Sequence, residues 1–424
     1  MEPLDAWVEA VWAAARSEGL DPAPTDFYLV PRESLWAIAA YGLPHHPGHW
    51  RYGRDYWVLR EQQVTGSARL YELVIRGEPV TAYLDAANSL AEQQLVVAHV
   101  AGHADLLRHH LLYRSQRSDW PAVLDAAHQR LMAYRDRFGE AVVEQVWNDA
   151  LSLEDQVAEE TPPPAVELSA ETSPFGDLWR SSSGAPARQP HPRWRLPTAD
   201  LLGFLAREAP RLEEWQRDCL SMVRGTALYF WPQRVTKLVQ EGFATWVQHR
   251  LVQVLDWAAP SRVQAAILNA GVEWTSEMVP NPYDLGGQMF LWLERHWGAP
   301  RVIALARELT DSELVSRWVT EEMVRDLQLY RYRWRNDGGT WAAVRQGAAW
   351  TEVRDAWNNQ IAEKPPRVAV VDVEAGGQLV LGWDDAAPPD LAAAQRTLAA
   401  VRRLWGGPVR LDRPGGPPVT EKEG

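Results

Sequence analysis

The chain has 424 residues, 46% hydrophobic and 23% charged, an ordinary globular composition that excludes a disordered chain. Its formal net charge of −13, with no basic block, argues against a nucleic-acid partner, because neutralising phosphates needs clustered Lys and Arg. Cys219 is the lone cysteine, which excludes an intrachain disulfide and a cysteine-based zinc cluster.

Residues 3–18 place Leu4, Trp7, Val8, Val11, Trp12 and Ala15 on one helical stripe that Gly19 ends. This first segment carries acids and lacks a basic start and a continuous apolar core, so it is not expected to be a signal peptide. No apolar run approaches about 18 residues, so no membrane span is expected and the cytoplasm is the expected location. Phe27–Val30 reads as a strand, and Pro31 opens a helix over residues 32–41. Residues 43–54, rich in Pro, Gly and His, read as a loop. A hairpin over 70–75 and 80–84 follows, joined by Arg76-Gly77-Glu78-Pro79. A long helix over 89–112 comes next, and helical pattern continues to Leu153.

Residues 154–197 are proline-rich and read as an insertion or linker. Helical periodicity resumes at Thr198, which offers an N-cap, and runs to Leu309 with breaks at Pro210, Pro232 and Pro260. Asn281-Pro282-Tyr283 opens a further helix, with Asn281 as cap. A second hairpin spans 329–335 and 340–344. Beyond Trp350 a helix (351–362), two strands (367–374, 378–383), a helix (390–404) and a strand (408–411) are predicted. The expected class is therefore α+β. Residues 1–153 and 198–345 would form one large, mostly helical domain with β-hairpins. Residues 346–413 would form a small C-terminal α-β-β-α-β module, and 414–424 a disordered tail.

Two patterns carry chemistry. In Ala98-His99-Val100-Ala101-Gly102-His103 the i, i+4 spacing puts both imidazoles on one helix face, the geometry of two-His metal sites. A zinc hydrolase would add Glu directly after the first His, where Val100 stands. The second is Gln233 followed by Glu241-Gly242-Phe243-Ala244-Thr245-Trp246-Val247-Gln248-His249. Glu241, Thr245 and Gln248 share a face there, and a carboxylate on a largely apolar helix is costly unless paired or metal-bound. His45, His46 and His49 are loop histidines, whereas the adjacent His109 and His110 point to different helix sides and are expected to be solvated. There is no phosphate loop, no Gly-x-Gly-x-x-Gly and no Gly-x-Ser-x-Gly. Tryptophan, 23 residues against 12 Tyr and 7 Phe, is in excess, and most of it falls at helical core spacings.

The chain resembles the SpoVR family, the stage V sporulation protein R-like proteins, through eight ordered motifs. These are His49-Trp50-x-x-Gly53-Arg54, Tyr71-Glu72-x-Val74-Ile75, Ala98-His99-Val100-x-Gly102-His103-x-Asp105 and Ala209-Pro210-x-Leu212-x-x-Trp215-Gln216-Arg217. Tyr229-Phe230-x-Pro232-Gln233, Glu241-Gly242-x-Ala244-Thr245, Asn281-Pro282-Tyr283-x-Leu285-Gly286 and Leu404-Trp405-Gly406-x-Pro408-Val409 complete the set. The family usually has Trp at Phe243 and a His near Gln248, which here is displaced to His249.

The resemblance implies a role in sporulation, at spore cortex (peptidoglycan) assembly, and in stress responses. It also implies a PrkA-type serine kinase and a von Willebrand A-domain protein as partners. The order of hairpin, His-x-x-x-His helix and Glu-Gly helix is similar to the gluzincin, zincin-like layout. It suggests zinc or another divalent transition metal on His99, His103 and Glu241, with Glu72 or Asp105 as the base. His49, Trp50, Gln233, Thr245, Gln248, His249, Asn281 and Tyr283 are the expected pocket residues. Two readings stay open. One is a metal-dependent hydrolase, peptidase- or amidase-like, or a degenerate one. The other is a non-catalytic regulatory scaffold in which the His/Glu cluster is structural.

Overall fold

The computed structural model describes residues 2–41, 49–65, 71–117, 119–158, 194, 196–257, 261, 263–264, 282–337, 340–346, 349–361, 368–383, 390–413 and 416–420. In chain order the elements are α1 (Glu2–Ser17), β1 (Thr25–Val30), α2 (Arg32–Tyr41), α3 (Trp50–Val64), β2 (Glu72–Ile75) and β3 (Val80–Asp85). Next come α4 (Leu90–His109), α5 (Leu111–Arg114), α6 (Trp120–Phe138), α7 (Glu140–Leu151), α8 (Leu201–Glu208), α9 (Glu214–Val235) and α10 (Lys237–Val254). They are followed by α11 (Pro282–Trp297), α12 (Ala299–Ala306), α13 (Asp311–Trp318), α14 (Glu321–Asp326), β4 (Arg331–Asp337), β5 (Thr340–Gln346) and α15 (Trp350–Ile361). The last are β6 (Val368–Val373), β7 (Leu379–Trp383), α16 (Leu391–Trp405), β8 (Val409–Asp412) and β9 (Val419–Thr420). The class is α+β, with helices dominant and small sheets between them.

The chain divides into two compact units, residues 1–130 with 229–363 and residues 131–228 with 364–424. In the first unit a three-stranded sheet has the order β1-β3-β2. The predicted β2–β3 hairpin is antiparallel, and β1 adds to β3 in parallel with Phe27 opposite Ala82. Helix α4 is buried almost all round, from Ala91 to Leu107. Its run of Ala, Val, Gly and Leu therefore has no solvent face, as expected of a central core helix. Helices α1, α10 and the sheet pack around it. Large apolar side chains fill that core, among them Trp7, Trp12, Trp246, Phe290 and Trp292.

In the second unit a four-stranded sheet has the order β6-β7-β8-β9, with β7 and β8 parallel. Helix α16 covers it, closed by Gly406 in the left-handed conformation at φ 75°. The pieces are joined by polar and aromatic ties distant in sequence. Arg403 grips Asp149 through Nη2–Oδ1 at 2.6 Å, Gln156 Oε1 accepts from Val368 N at 2.8 Å, and Phe204 stacks on Trp405.

These contacts redraw the expected domain plan. Helix α15 belongs to the first unit, where Trp357 Nε1 donates to Leu329 O at 2.8 Å and Ser312 bonds Asn358. The C-terminal sheet groups instead with residues 131–228. The tail contributes β9, whose Val419 pairs with Leu411.

Three local readings change as well. Trp50 opens α3 rather than lying in a loop, while residues 43–48, with His45 and His46, fall outside the described residues. Asp200, not Thr198, caps α8, because Thr198 is drawn into a bridge with Val370. Pro232 lies inside α9, close enough to its end that the helix tolerates the lost donor. Of the insertion, 159–193 and 195 lie outside the described residues.

Candidate metal centre

Three elements bring the site together. Helix α4 starts at a capping box in which Ser89 Oγ accepts from Glu92 N and Glu92 Oε2 accepts from Ser89 N at 2.6 Å. From that fixed start His99 and His103 follow on one face. Strand β2 places Glu72 opposite Leu84 of β3. Helix α10 carries Glu241 in its second turn.

The start of α10 is fixed from outside. The Thr236 hydroxyl donates to Pro232 O at 2.6 Å, so it does not cap the helix. Asp311 does so instead, its two oxygens accepting from Leu238 N at 3.0 Å and Val239 N at 2.9 Å.

Small residues let the helices close in. A Cβ on Gly102 of α4 would sit 2.6 Å from Ala244 Cα of α10, and one on Gly242 would sit 2.5 Å from Gly286 of α11. The glycines of the His-Val-x-Gly-His, Glu-Gly-x-Ala and Leu-Gly motifs are thus crossing points. They bring α10 close enough to α4 for Glu241 to reach the histidines.

The Nε2 atoms of His99 and His103 lie 3.5 and 3.6 Å from the same oxygen, Oε2 of Glu241. Glu72 Oε1 lies 3.9 Å from His99 Nε2. Ligand atoms of Glu72, His99 and His103 all fall within 4.8 Å of one another. His99 and His103 are 5% and 9% exposed, so the cluster is shielded from bulk water. The spacings are long for hydrogen bonds, and Glu241 Oε2 is a buried acceptor with no hydrogen bond among the described residues. Two ligand atoms each about 2.1 Å from a tetrahedral metal stand about 3.4 Å apart, close to these distances.

Gln248 sets the orientation of the first ring. Its Oε1 lies 3.1 Å from His99 Nδ1. An amide oxygen only accepts, so Nδ1 carries the proton. In the neutral ring the Nε2 lone pair then faces Glu241 and Glu72, an arrangement in which a metal ligand is oriented by its outer hydrogen bond.

Burial alone would lower the His99 pKa, but the carboxylates of Glu241 and Glu72 raise it. Burial would likewise raise Glu241, yet His103 and His99 hold it well below the usual carboxylate range. Glu72 is pushed up, first by burial, against the pull of His99 and with the charge of Glu241 adding to it. Two acids and two imidazoles in one shielded place favour any added positive charge, whether a proton or a metal cation.

Asp105 is not brought to this cluster. Two residues past His103, it turns to the far side of α4, fully buried. Arg307 holds both its oxygens, at 2.9 and 2.6 Å, and Asp21 N donates to it at 2.7 Å. A carboxylate so engaged is a structural anchor, which corrects its expected role as base and leaves Glu72 as the acid in place. His110, expected in solvent, is fully buried with Nε2 3.1 Å from Leu309 O, and burial lowers its pKa.

The other expected pocket residues divide. Thr245 is buried one turn beyond Glu241 and meets Gly287 of α11. His249 is half-buried and outside the metal-capable group, so it is Gln248 that meets His99. Gln233 lies in the last turn of α9, its carbonyl 3.5 Å from Gln240 Nε2. His49 and Trp50 pack on each other at 5.2 Å, with Trp50 59% exposed at the start of α3. Asn281 falls outside the described residues, and Pro282 and Tyr283 open α11. The role of Asp311 went unread, because a cap supplied from more than 70 residues away leaves no local signal.

A family model described as SpoVR like protein matches residues 1–364. The Escherichia coli (strain K12) protein named "Uncharacterized protein YcgB" is 25% identical over 473 residues, covering 97% of this chain and 91% of its own length. No solved structure matches the chain.

Proposed function

This chain belongs to the SpoVR family, and we propose that its His99, His103, Glu241 and Glu72 form a divalent transition-metal centre that serves amide hydrolysis in cell-wall (peptidoglycan) material. The observation that carries this is the convergence of two imidazole Nε2 atoms on one carboxylate oxygen at 3.5 and 3.6 Å, with a second carboxylate at 3.9 Å. Imidazole and carboxylate together suit zinc and its neighbours. A metal held there would supply Lewis acidity toward a carbonyl or a water.

The chain's own groups would do the rest. His99, His103 and Glu241 are the ligands, and Gln248 keeps the His99 lone pair directed inward. Glu72, with its raised affinity for a proton, would take a proton from the attacking water and give it to the leaving amine nitrogen, the task of the glutamate absent at Val100. Spore cortex and stress-linked cell-wall remodelling would be the setting, with a PrkA-type kinase and a von Willebrand A-domain protein as partners.

A second reading has its own support. The raised His99 and lowered Glu241 also suit an imidazolium–carboxylate network that fixes the core of a non-catalytic scaffold.

Metal analysis of the purified chain separates the two. The metal-centre reading expects about one transition-metal equivalent more in the native chain than in His99→Ala, and peptide or cell-wall fragment hydrolysis lost in Glu72→Gln. Equal bound metal in the native chain and in His99→Ala, on isolation and after zinc titration, would overturn it in favour of the scaffold.

A further inference from the structure

A second group of metal-capable side chains lies apart from the buried centre, where the last turn of α11 meets α14. His296, Glu322 and Asp326 offer ligand atoms that all lie within 4.8 Å of one another. All three are exposed, and a surface acid pair alone would mean little. The imidazole and the way it is held make the difference.

Trp292 organises two of the three ligands. Its carbonyl lies 2.7 Å from His296 Nδ1. A carbonyl only accepts, so Nδ1 carries the proton, and in the neutral ring Nε2 presents its lone pair outward. The His296 ring stacks on the indole at 3.8 Å between centroids, which restrains its rotation, and Trp297 packs on the same imidazole at 5.6 Å. The same indole donates from Nε1 to Asp326 Oδ2 at 3.1 Å. Asp326 Oδ1 also takes Arg325 Nε at 3.2 Å, so this carboxylate is oriented at both oxygens while each keeps a further lone pair. Glu322 Oε1 stands 3.9 Å from His296 Nε2 and is the most exposed of the three, free to swing inward by a rotamer change. An imidazole fixed through its other nitrogen and a carboxylate fixed by an indole are the outer-shell features of a metal ligand set.

We infer that His296, Glu322 and Asp326 form a second, solvent-facing site for a divalent transition metal of the zinc, copper or nickel type. One nitrogen and two oxygens, with water completing the shell, favour these ions over calcium or magnesium, which prefer all-oxygen shells. A cation there ties the end of α11 to α14. The site stands independently of the buried centre.

Zinc titration of the metal-free full chain tests it. The double variant His99→Ala, His103→Ala removes the imidazoles of the buried cluster and is expected to keep one zinc equivalent. Adding Glu322→Gln, an exposed position where folding is not at stake, should weaken that binding at least tenfold, as should His296→Gln. A double variant that binds no zinc, or an affinity unchanged by both further substitutions, would overturn the inference. Copper(II) spin resonance on the otherwise native chain covers the case in which the double variant fails to fold. A one-nitrogen signal lost in His296→Gln supports the surface site, and a spectrum unaltered by His296→Gln refutes it. A two-nitrogen signal lost in His99→Ala reports on the buried centre alone, so the two proposals fail separately.

Discussion

Asp105 and Glu241 are two acids of the same unit, each turned toward α4 or lying on it, and they are neutralised in opposite ways. Asp105 has its cation built in: Arg307 grips both oxygens and Asp21 N adds a third bond. Glu241 faces two imidazoles and, at 3.9 Å from one of them, another acid. A buried carboxylate needs a partner of opposite charge, and only the first finds a permanent one among the side chains around it. The difference teaches where to look for a ligand. The anchored acid holds the fold, and the acid set among titratable neighbours is the one for which we propose a bound cation.

The comparison can be broken at its stable end first. Asp105→Asn leaves the Arg307 guanidinium, 24% exposed, without its counter-charge and should cost about 3 kcal/mol, read as a lowered denaturation midpoint. Zinc bound per folded molecule should not change. If zinc is lost with fold intact, Asp105 belongs to the site after all.

Glu241→Gln tests the other end. It should lower zinc affinity by about 100-fold, roughly 2.7 kcal/mol, while stability without metal falls little. A large loss of stability with zinc affinity retained would make Glu241 an anchor like Asp105. Gln248→Ala is expected to act in the same direction more weakly, by about tenfold to 100-fold, because it frees the His99 ring without removing a ligand. Calorimetric titration reads both.

Asp311 sharpens the comparison as a third case, held by backbone N–H groups at the start of α10 with the charge of Lys237 nearby. Burial pushes its carboxyl up to about 7 despite the bonds from Leu238 and Val239. A raised carboxyl binds its proton more tightly in the folded chain. Its contribution is therefore fully present below about pH 4 and is lost as pH rises toward 7, by at most about 1.4 kcal/mol per pH unit. The stability difference between the native chain and Asp311→Asn should shift in that window and level off above it. Denaturation curves taken from pH 4 to 8 check this, and a difference that is flat with pH would contradict it.

Much of the centre was legible because it rests on local periodicity. The i, i+4 spacing put His99 and His103 on one face, and the hairpin brought Glu72 into a short strand. The small residues of the motifs were legible as motifs, but not as crossing points, since Gly102 and Ala244 lie far apart in the chain. Asp105 was misread for the same reason: its partner Arg307 is 202 residues away. Local pattern also assigned helix α15 to the C-terminal module, whereas Trp357 and Asn358 tie it to the first unit.

Tryptophan follows the same division. Trp246 and Trp292 are core residues as their spacing implied, each giving its indole N–H to an acid, Glu294 at 2.8 Å and Asp326 at 3.1 Å. That Trp292 also fixes His296 and so builds a surface cluster was beyond any spacing rule. The sequence by itself determined the helical periodicity, the hairpins, the family and the candidate donors, because each is carried by neighbours in the chain or by whole motifs. Tertiary structure alone decided which carboxylate faces the histidines and which is sealed by an arginine. That choice depends on how α10 packs on α4 and on Arg307, just past α12, reaching Asp105, and charge burial is settled by what arrives from far along the chain.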